Sequence, residues 1–315
     1  MSDLARVLSG VLSGHAAPRC DTLAAFRAAH LARTRDLDAP IDRAIDAGAH
    51  ADRLAWAFAG GYAEAACALF AAPRERLACL AATEEGGAHP RAIQTRLDGL
   101  RLSGSKRWVT GGAQAELMYV VAKAGEQGGR PLLRVVRVDA RAPGVALGPS
   151  APAPFLPEIE HASVTFTDVA VAPLDVLDGD GYDHYLKPFR TTEDIHVIAA
   201  VVAWVAAVGA RARFPEALLS SACAALGTAR TLAESDPRAP ETHVALGGFL
   251  AEVEALLARA EPCWDGAPEP VRACWRRDRA VLAVASKARA ARLEKAWATL
   301  RARMSTVART TTLPG

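Results

Sequence analysis

The sequence is short of the features that mark the commoner metal and nucleotide sites. Its six cysteines (Cys20, Cys67, Cys79, Cys223, Cys263, Cys274) are scattered, and no two form a Cys-x-x-Cys pair. That excludes a zinc ribbon and a thioredoxin-type centre, and no metal ligand set is expected. No Gly-x-Gly-x-x-Gly, no Gly-x-x-x-x-Gly-Lys-[Ser/Thr] and no His-Glu-x-x-His is present. A net charge of only +2 leaves the chain without an overall pull towards polyanions. Long apolar runs are lacking too. The most apolar stretch, Ile195–Ala210, opens with His196 and is followed by Arg211 and Arg213, so it reads as a buried bundle helix and not a membrane span. Met1–Gly10 carries acid before base and no long apolar segment, so no signal peptide is expected and a cytoplasmic location is the default.

What is present is an ordinary globular composition, 51% hydrophobic and 23% charged, in a chain of 315 residues. That length suffices for two or three domains. Three textures follow one another. Residues 1–75 are alanine-rich with helical periodicity; Leu54, Phe58, Tyr62 and Leu69 form one apolar stripe, and Pro73 ends the block. Residues 76–180 hold short β-prone runs: Trp108-Val109-Thr110, Leu117–Ala122, Leu132–Val138 and Val164–Val169. Turn signals such as Asp98-Gly99, Ser103-Gly104, Gly111-Gly112 and Gly128-Gly129 lie between them. An antiparallel barrel or sandwich is expected there. Residues 181–315 return to helix, with four expected over Ile195–Ala212, Glu216–Ala233, Thr242–Ala260 and Val271–Arg303. The fold class is therefore α+β: a helical domain, a β-domain, then a helical bundle.

Three segments of the middle region resemble a known family. Ala81-Ala82-Thr83-Glu84-Glu85-Gly86-Gly87-Ala88 is similar to the loop that opens the β-domain of acyl-CoA dehydrogenases. Leu102-Ser103-Gly104-Ser105-Lys106-Arg107-Trp108-Val109-Thr110-Gly111-Gly112 resembles that family's Leu-x-Gly-x-Lys-x-Trp-Ile-Thr-x-Gly segment. Val164–Pro173 resembles its exit strand. The resemblance implies FAD as cofactor, an acyl-CoA or related thioester as substrate, α,β-desaturation, an electron-accepting flavoprotein, and a homo-oligomer built through the bundle. It also implies cofactor contacts. Trp108 would lie against the flavin, Thr110 would donate near its N5 atom, and Ala82 and Thr83 would serve the pyrimidine edge. A planar ring with polar edges needs such an aromatic wall and fixed donors.

The sequence departs from that pattern in three places. Ala88-His89-Pro90 stands where the family has Gly-Ser-Asp, so His89 either replaces a pyrophosphate contact or sits on the surface. Ser235-Asp236-Pro237-Arg238 has an arginine but no Phe-Gly. After Arg303 there is neither the Gly-Gly-x-Gly turn nor the acid that usually serves as base. In the isovaleryl-CoA and long-chain branch the base lies on the first bundle helix. Matching Ile198-Ala199-Ala200 to that helix places Asp194 at the base position with Glu193 beside it. Acids in a first helical turn also suit the helix dipole without any catalytic duty. Two non-catalytic alternatives stay open. One is a degenerate scaffold that has lost its flavin. The other is nucleic-acid binding through the arginine-rich C-terminal helices, although a solvated basic face whose stems cover apolar surface is the better account of those residues and no nucleic-acid partner is expected.

Overall fold

A computed structural model of the chain describes residues 3–150 and 153–310. Helices α1 (Asp3–Leu12), α2 (Leu23–Arg33), α3 (Pro40–Ala49) and α4 (Leu54–Phe70) come first. The expected stripe appears on α4, with Leu54 and Tyr62 buried and Phe58 and Leu69 packed at the core's edge. The helix stops at Ala71 in a left-handed conformation, two residues before Pro73.

The β-domain has seven strands among the described residues: β1 (Ala78–Ala81), β2 (Arg96–Asp98), β3 (Arg101–Thr110), β4 (Leu117–Gln127), β5 (Arg130–Asp139), β6 (Val145–Ser150) and β7 (His161–Ala170). They form one sheet in the order β1-β4-β2-β3-β7-β6, with β5 on β4. The sheet is mixed, which corrects the purely antiparallel expectation: β1 and β2 run parallel to β4. The parallel pairing follows from the long excursion between β1 and β4, because parallel neighbours need a crossover and not a hairpin. On β7, Ala162, Val164 and Phe166 are buried and alternate with more exposed residues, as one buried face requires.

The bundle comprises α5 (Lys187–Ala212), preceded by one π-helical turn at Gly181–Leu186, then α6 (Glu216–Ala233), α7 (Pro240–Ala260), α8 (Glu269–Asp278) and α9 (Ser286–Thr310). The segment Gly181–Ala212 is long and apolar enough to cross a membrane by length and composition, but 83% of its apolar window is buried inside the protein. Its partners come very close. A Cβ on Gly48 would lie 1.9 Å from the Ala200 carbonyl oxygen, and one on Gly61 would lie 2.7 Å from the Val197 Cα. Helices α3 and α4 can touch the α5 backbone only because these two positions are glycine. A two-pronged ion pair joins the same layers: Arg230 of α6 donates from Nε and a terminal nitrogen to both oxygens of the buried Asp42 (2.6 and 2.8 Å).

The expected fourth helix, Val271–Arg303, is broken. A 3-10 turn over Arg279–Ala283 separates α8 from α9. Tertiary contacts win over helical propensity at this break. Trp275 stacks on Trp264 at 4.8 Å, and the buried Asp278 carboxylate accepts the backbone N–H of Leu156 at 2.8 Å. Both contacts fix α8 in place, and α9 then sets off along α7 instead.

Candidate functional site

Of the expected cofactor residues, Ala82 and Thr83 follow β1, and Trp108 and Thr110 close β3. The Thr83 carbonyl accepts the Arg107 N–H at 2.8 Å, which ties the loop after β1 to β3. Beneath this junction lies an ion pair to which the sequence pattern assigns no role. Lys106, fully buried, donates to Glu84 at 2.6 Å and to the Ala82 carbonyl at 3.4 Å. Glu84 also accepts the N–H groups of Gln94 (2.7 Å) and Thr95 (3.0 Å). Burial raises the Glu84 carboxyl, but the Lys106 ammonium and those two donors outweigh it and hold the group below the ordinary glutamate range. Burial pulls Lys106 down to about 8 against the upward pull of Glu84. The pair therefore staples the 82–95 loop to β3.

A bulge sets the direction of Trp108. The β3–β7 register shifts between Lys106 and Val109, so Arg107 and Trp108 both face outward while Lys106 and Val109 face in. Trp108 has φ 57°, a conformation that costs a non-glycine residue energy, and its indole is 51% exposed. The ring stands edge-on to His161 at 6.3 Å. Burial depresses the His161 pKa, against a hydrogen bond to the Ile159 backbone that raises it. An outward indole on a strained bulge beside a half-buried imidazole fits a bound planar ring.

Behind Thr110 lies Tyr62 of α4. Its hydroxyl oxygen accepts the Leu80 N–H at 3.0 Å. Burial drives the phenol well above its usual range. The Cys79 thiol and the Glu193 carboxylate add to the rise, and hydrogen bonds from Leu80 and Thr110 oppose it. Tyr62 and Phe189 pack edge to face at 5.6 Å, and Glu193 follows Phe189 by one helical turn. Glu193 therefore lies on the stretch of α5 that packs against Tyr62 of α4. Burial, then the adjacent Asp194 charge, push the Glu193 carboxyl up to about 7, against Arg289, Arg190 and Arg292.

Asp194 faces elsewhere, because adjacent residues on a helix leave it about 100° apart. Its buried carboxylate accepts Arg289 of α9 through Nε (2.9 Å) and a terminal nitrogen (2.7 Å), and it also pairs with Arg292. Two guanidiniums fully occupy it, so it is a structural anion tying α9 to the start of α5. His89 is exposed, and its Nδ1 accepts the Arg91 N–H at 3.2 Å, capping a short 3-10 turn. Arg238, in the departing bundle segment, folds back onto Asp236 at 3.1 Å. His196 lies buried with Nδ1 2.8 Å from the Thr192 carbonyl, and burial lowers it to about 4.

Residues 79–169 match the family model for the acyl-CoA dehydrogenase middle domain. The chain has the acyl-CoA dehydrogenase fold. It is similar to butyryl-CoA dehydrogenase from Megasphaera elsdenii (TM-score 0.63, 16% identity, 82% of this chain and 81% of that one). It is also similar to glutaryl-CoA dehydrogenase from Mycobacterium smegmatis (0.60, 14%, 94% and 87%). A third similar chain comes from the electron transferring flavoprotein structure of Acidaminococcus fermentans (0.71, 14%, 94% and 98%). No curated protein sequence matches the chain. Within the acyl-CoA dehydrogenase fold, the residues that sequence reasoning passed over are Tyr62 and His161. The only signal for Tyr62 was its place on the α4 stripe. For His161 there was none, because its place opposite Thr110 belongs to the β3–β7 pairing.

Proposed function

We propose that this chain is an FAD-dependent oxidoreductase that desaturates an acyl thioester between Cα and Cβ, with Glu193 as the base. What supports the proposal is the place of Glu193 on α5, one turn past the Phe189 that packs on Tyr62 at 5.6 Å, with a carboxyl pushed up to about 7 and no ion-pair partner of its own among the described residues. Such a group is ionised enough near neutral pH to accept a proton and basic enough to hold it. Trp108 and Thr110, with Ala82 and Thr83, would hold the isoalloxazine ring. Bound FAD would supply the hydride acceptor. Glu193 takes the α-proton onto a carboxylate oxygen. The Glu84–Lys106 pair fixes the loop that carries Ala82 and Thr83. Electrons would leave to an external electron-transferring flavoprotein, and self-association would run through the helical bundle.

The test is the pH dependence of flavin reduction by an acyl-CoA under anaerobic conditions. The rate should rise with pH through about 7 as Glu193 ionises, and Glu193→Gln should abolish reduction while flavin stays bound. An Asp194→Asn variant that removed reduction while Glu193→Gln left it intact would move the base to Asp194.

A further inference from the structure

A cavity lies in the bundle, away from Trp108 and Thr110. It encloses about 380 Å³ between α5, α7 and the α8–α9 break, within the range of roughly 300–1,000 Å³ found for small-molecule sites. Leu246, Leu250 and Leu257 of α7 face Leu293 of α9 and Leu282 of the break across it. The two long helices run antiparallel, with Arg303 paired to Glu241 at 2.8 Å and a Cβ on Gly247 falling 2.8 Å from Leu293. The apolar wall from Leu246 to Leu257 is about 16 Å of helix.

The charge on its walls is uneven. At the outer side Glu254 is exposed, and Arg279 is matched by Glu261 at 2.5 Å. His243 is lowered by burial, and its Nε2 lies 2.9 Å from the Pro237 carbonyl. On the α5 side two guanidiniums, Arg289 and Arg292, share the single carboxylate of Asp194. Arg289 uses a further nitrogen on the Leu282 carbonyl at 2.6 Å. A guanidinium offers five donors, and Arg292 borders the cavity with one nitrogen engaged by Asp194. Glu193, the neighbouring carboxyl on α5 on which both guanidiniums also act, titrates at about 7, so below that pH this wall carries one positive charge more than Asp194 neutralises.

We infer that this cavity binds a medium-chain fatty carboxylate, its chain between α7 and α9 and its head group on Arg292. The chain matches the leucine wall, and the single negative charge matches the surplus guanidinium. Because Arg292 also acts on Glu193, binding here is read by calorimetry and not by flavin reduction.

Titration calorimetry of the purified full-length protein with decanoate tests the inference. Saturable binding is expected at one site, weakened by salt and reduced about tenfold or more in Arg292→Gln, as expected for losing a charge-assisted hydrogen bond. Leu250→Trp, which fills the cavity, should abolish it; Ala290→Trp, on the opposite wall, guards against a variant that fails to fold. Methyl decanoate should bind at least tenfold more weakly. Decanoyl-CoA should not displace decanoate, since its carboxyl is a thioester. Equal binding of the methyl ester, displacement by decanoyl-CoA, or decanoate binding untouched by both tryptophan variants would overturn the assignment.

Discussion

Glu193→Gln should stabilise the protein at alkaline pH and leave it unchanged in acid. An ordinary glutamate titrates near 4.5, whereas in the fold this carboxyl titrates at about 7. Between those values the unfolded chain is ionised and the folded one is not, so the folded state binds more protons and stability falls as pH rises. At about 1.36 kcal/mol per pH unit the gap corresponds to roughly 3 kcal/mol, and partial solvent contact reduces it to about 2. Below pH 4.5 both states are protonated and the cost vanishes. The glutamine side chain of the variant carries no charge at any pH, so the variant escapes the penalty. The assay is thermal or urea unfolding of both proteins, once in acid at about pH 4 and once in alkali at about pH 8.5. A rise in Tm of roughly 4–8 °C at the higher pH, and none at the lower, is expected. Equal stability of the two proteins at both pH values, or a loss in the variant at the higher one, would mean that the carboxyl is not held in a desolvated site.

Asp194→Asn should do the opposite. It leaves two arginines facing a neutral amide, so a loss of about 3 kcal/mol is expected in urea unfolding near neutral pH. Lys106→Met strands the buried Glu84 carboxylate. It should cost about 3–5 kcal/mol at neutral pH and less in acid, where Glu84 takes up a proton; a pH-independent loss would point to packing alone. Trp108→Gly should keep or raise stability by up to about 1 kcal/mol, because it relieves the left-handed φ of an exposed residue. The same variant should lose flavin, read from the visible absorbance of the purified protein. Gly61→Ala should destabilise strongly in thermal unfolding, since its Cβ meets the α5 backbone and not a movable side-chain tip.

The β-domain was legible in the sequence because its signals are local. The Trp108–Thr110 run, the strand Leu117–Ala122 and the glycine turns each declare themselves within a few residues, and all lie in β3, β4 and their flanks. The site was legible only as a neighbourhood. Choosing between Glu193 and Asp194 depends on which side of α5 faces α9, and α9 is placed by a break after Asp278 that no local pattern announces. That break is enforced by Trp275 on Trp264 and by Asp278 on the Leu156 N–H, the latter a contact across 122 residues of sequence. The outward turn of Trp108 was hidden for a similar reason. Strict alternation from Lys106 points residue 108 inward, and the bulge that reverses it belongs to the pairing with β7. The Glu84–Lys106 staple joins residues 22 apart and reads in sequence as two surface charges.

Whether Glu193 faces a bound flavin across an acyl thioester is tested most directly by anaerobic titration of the purified protein with short- and medium-chain acyl-CoAs, followed by visible absorbance. A yellow protein bleached by at least one acyl-CoA is predicted, together with a Glu193→Gln variant that stays yellow. A colourless protein that takes up no FAD, or bleaching that survives Glu193→Gln, would contradict this reading.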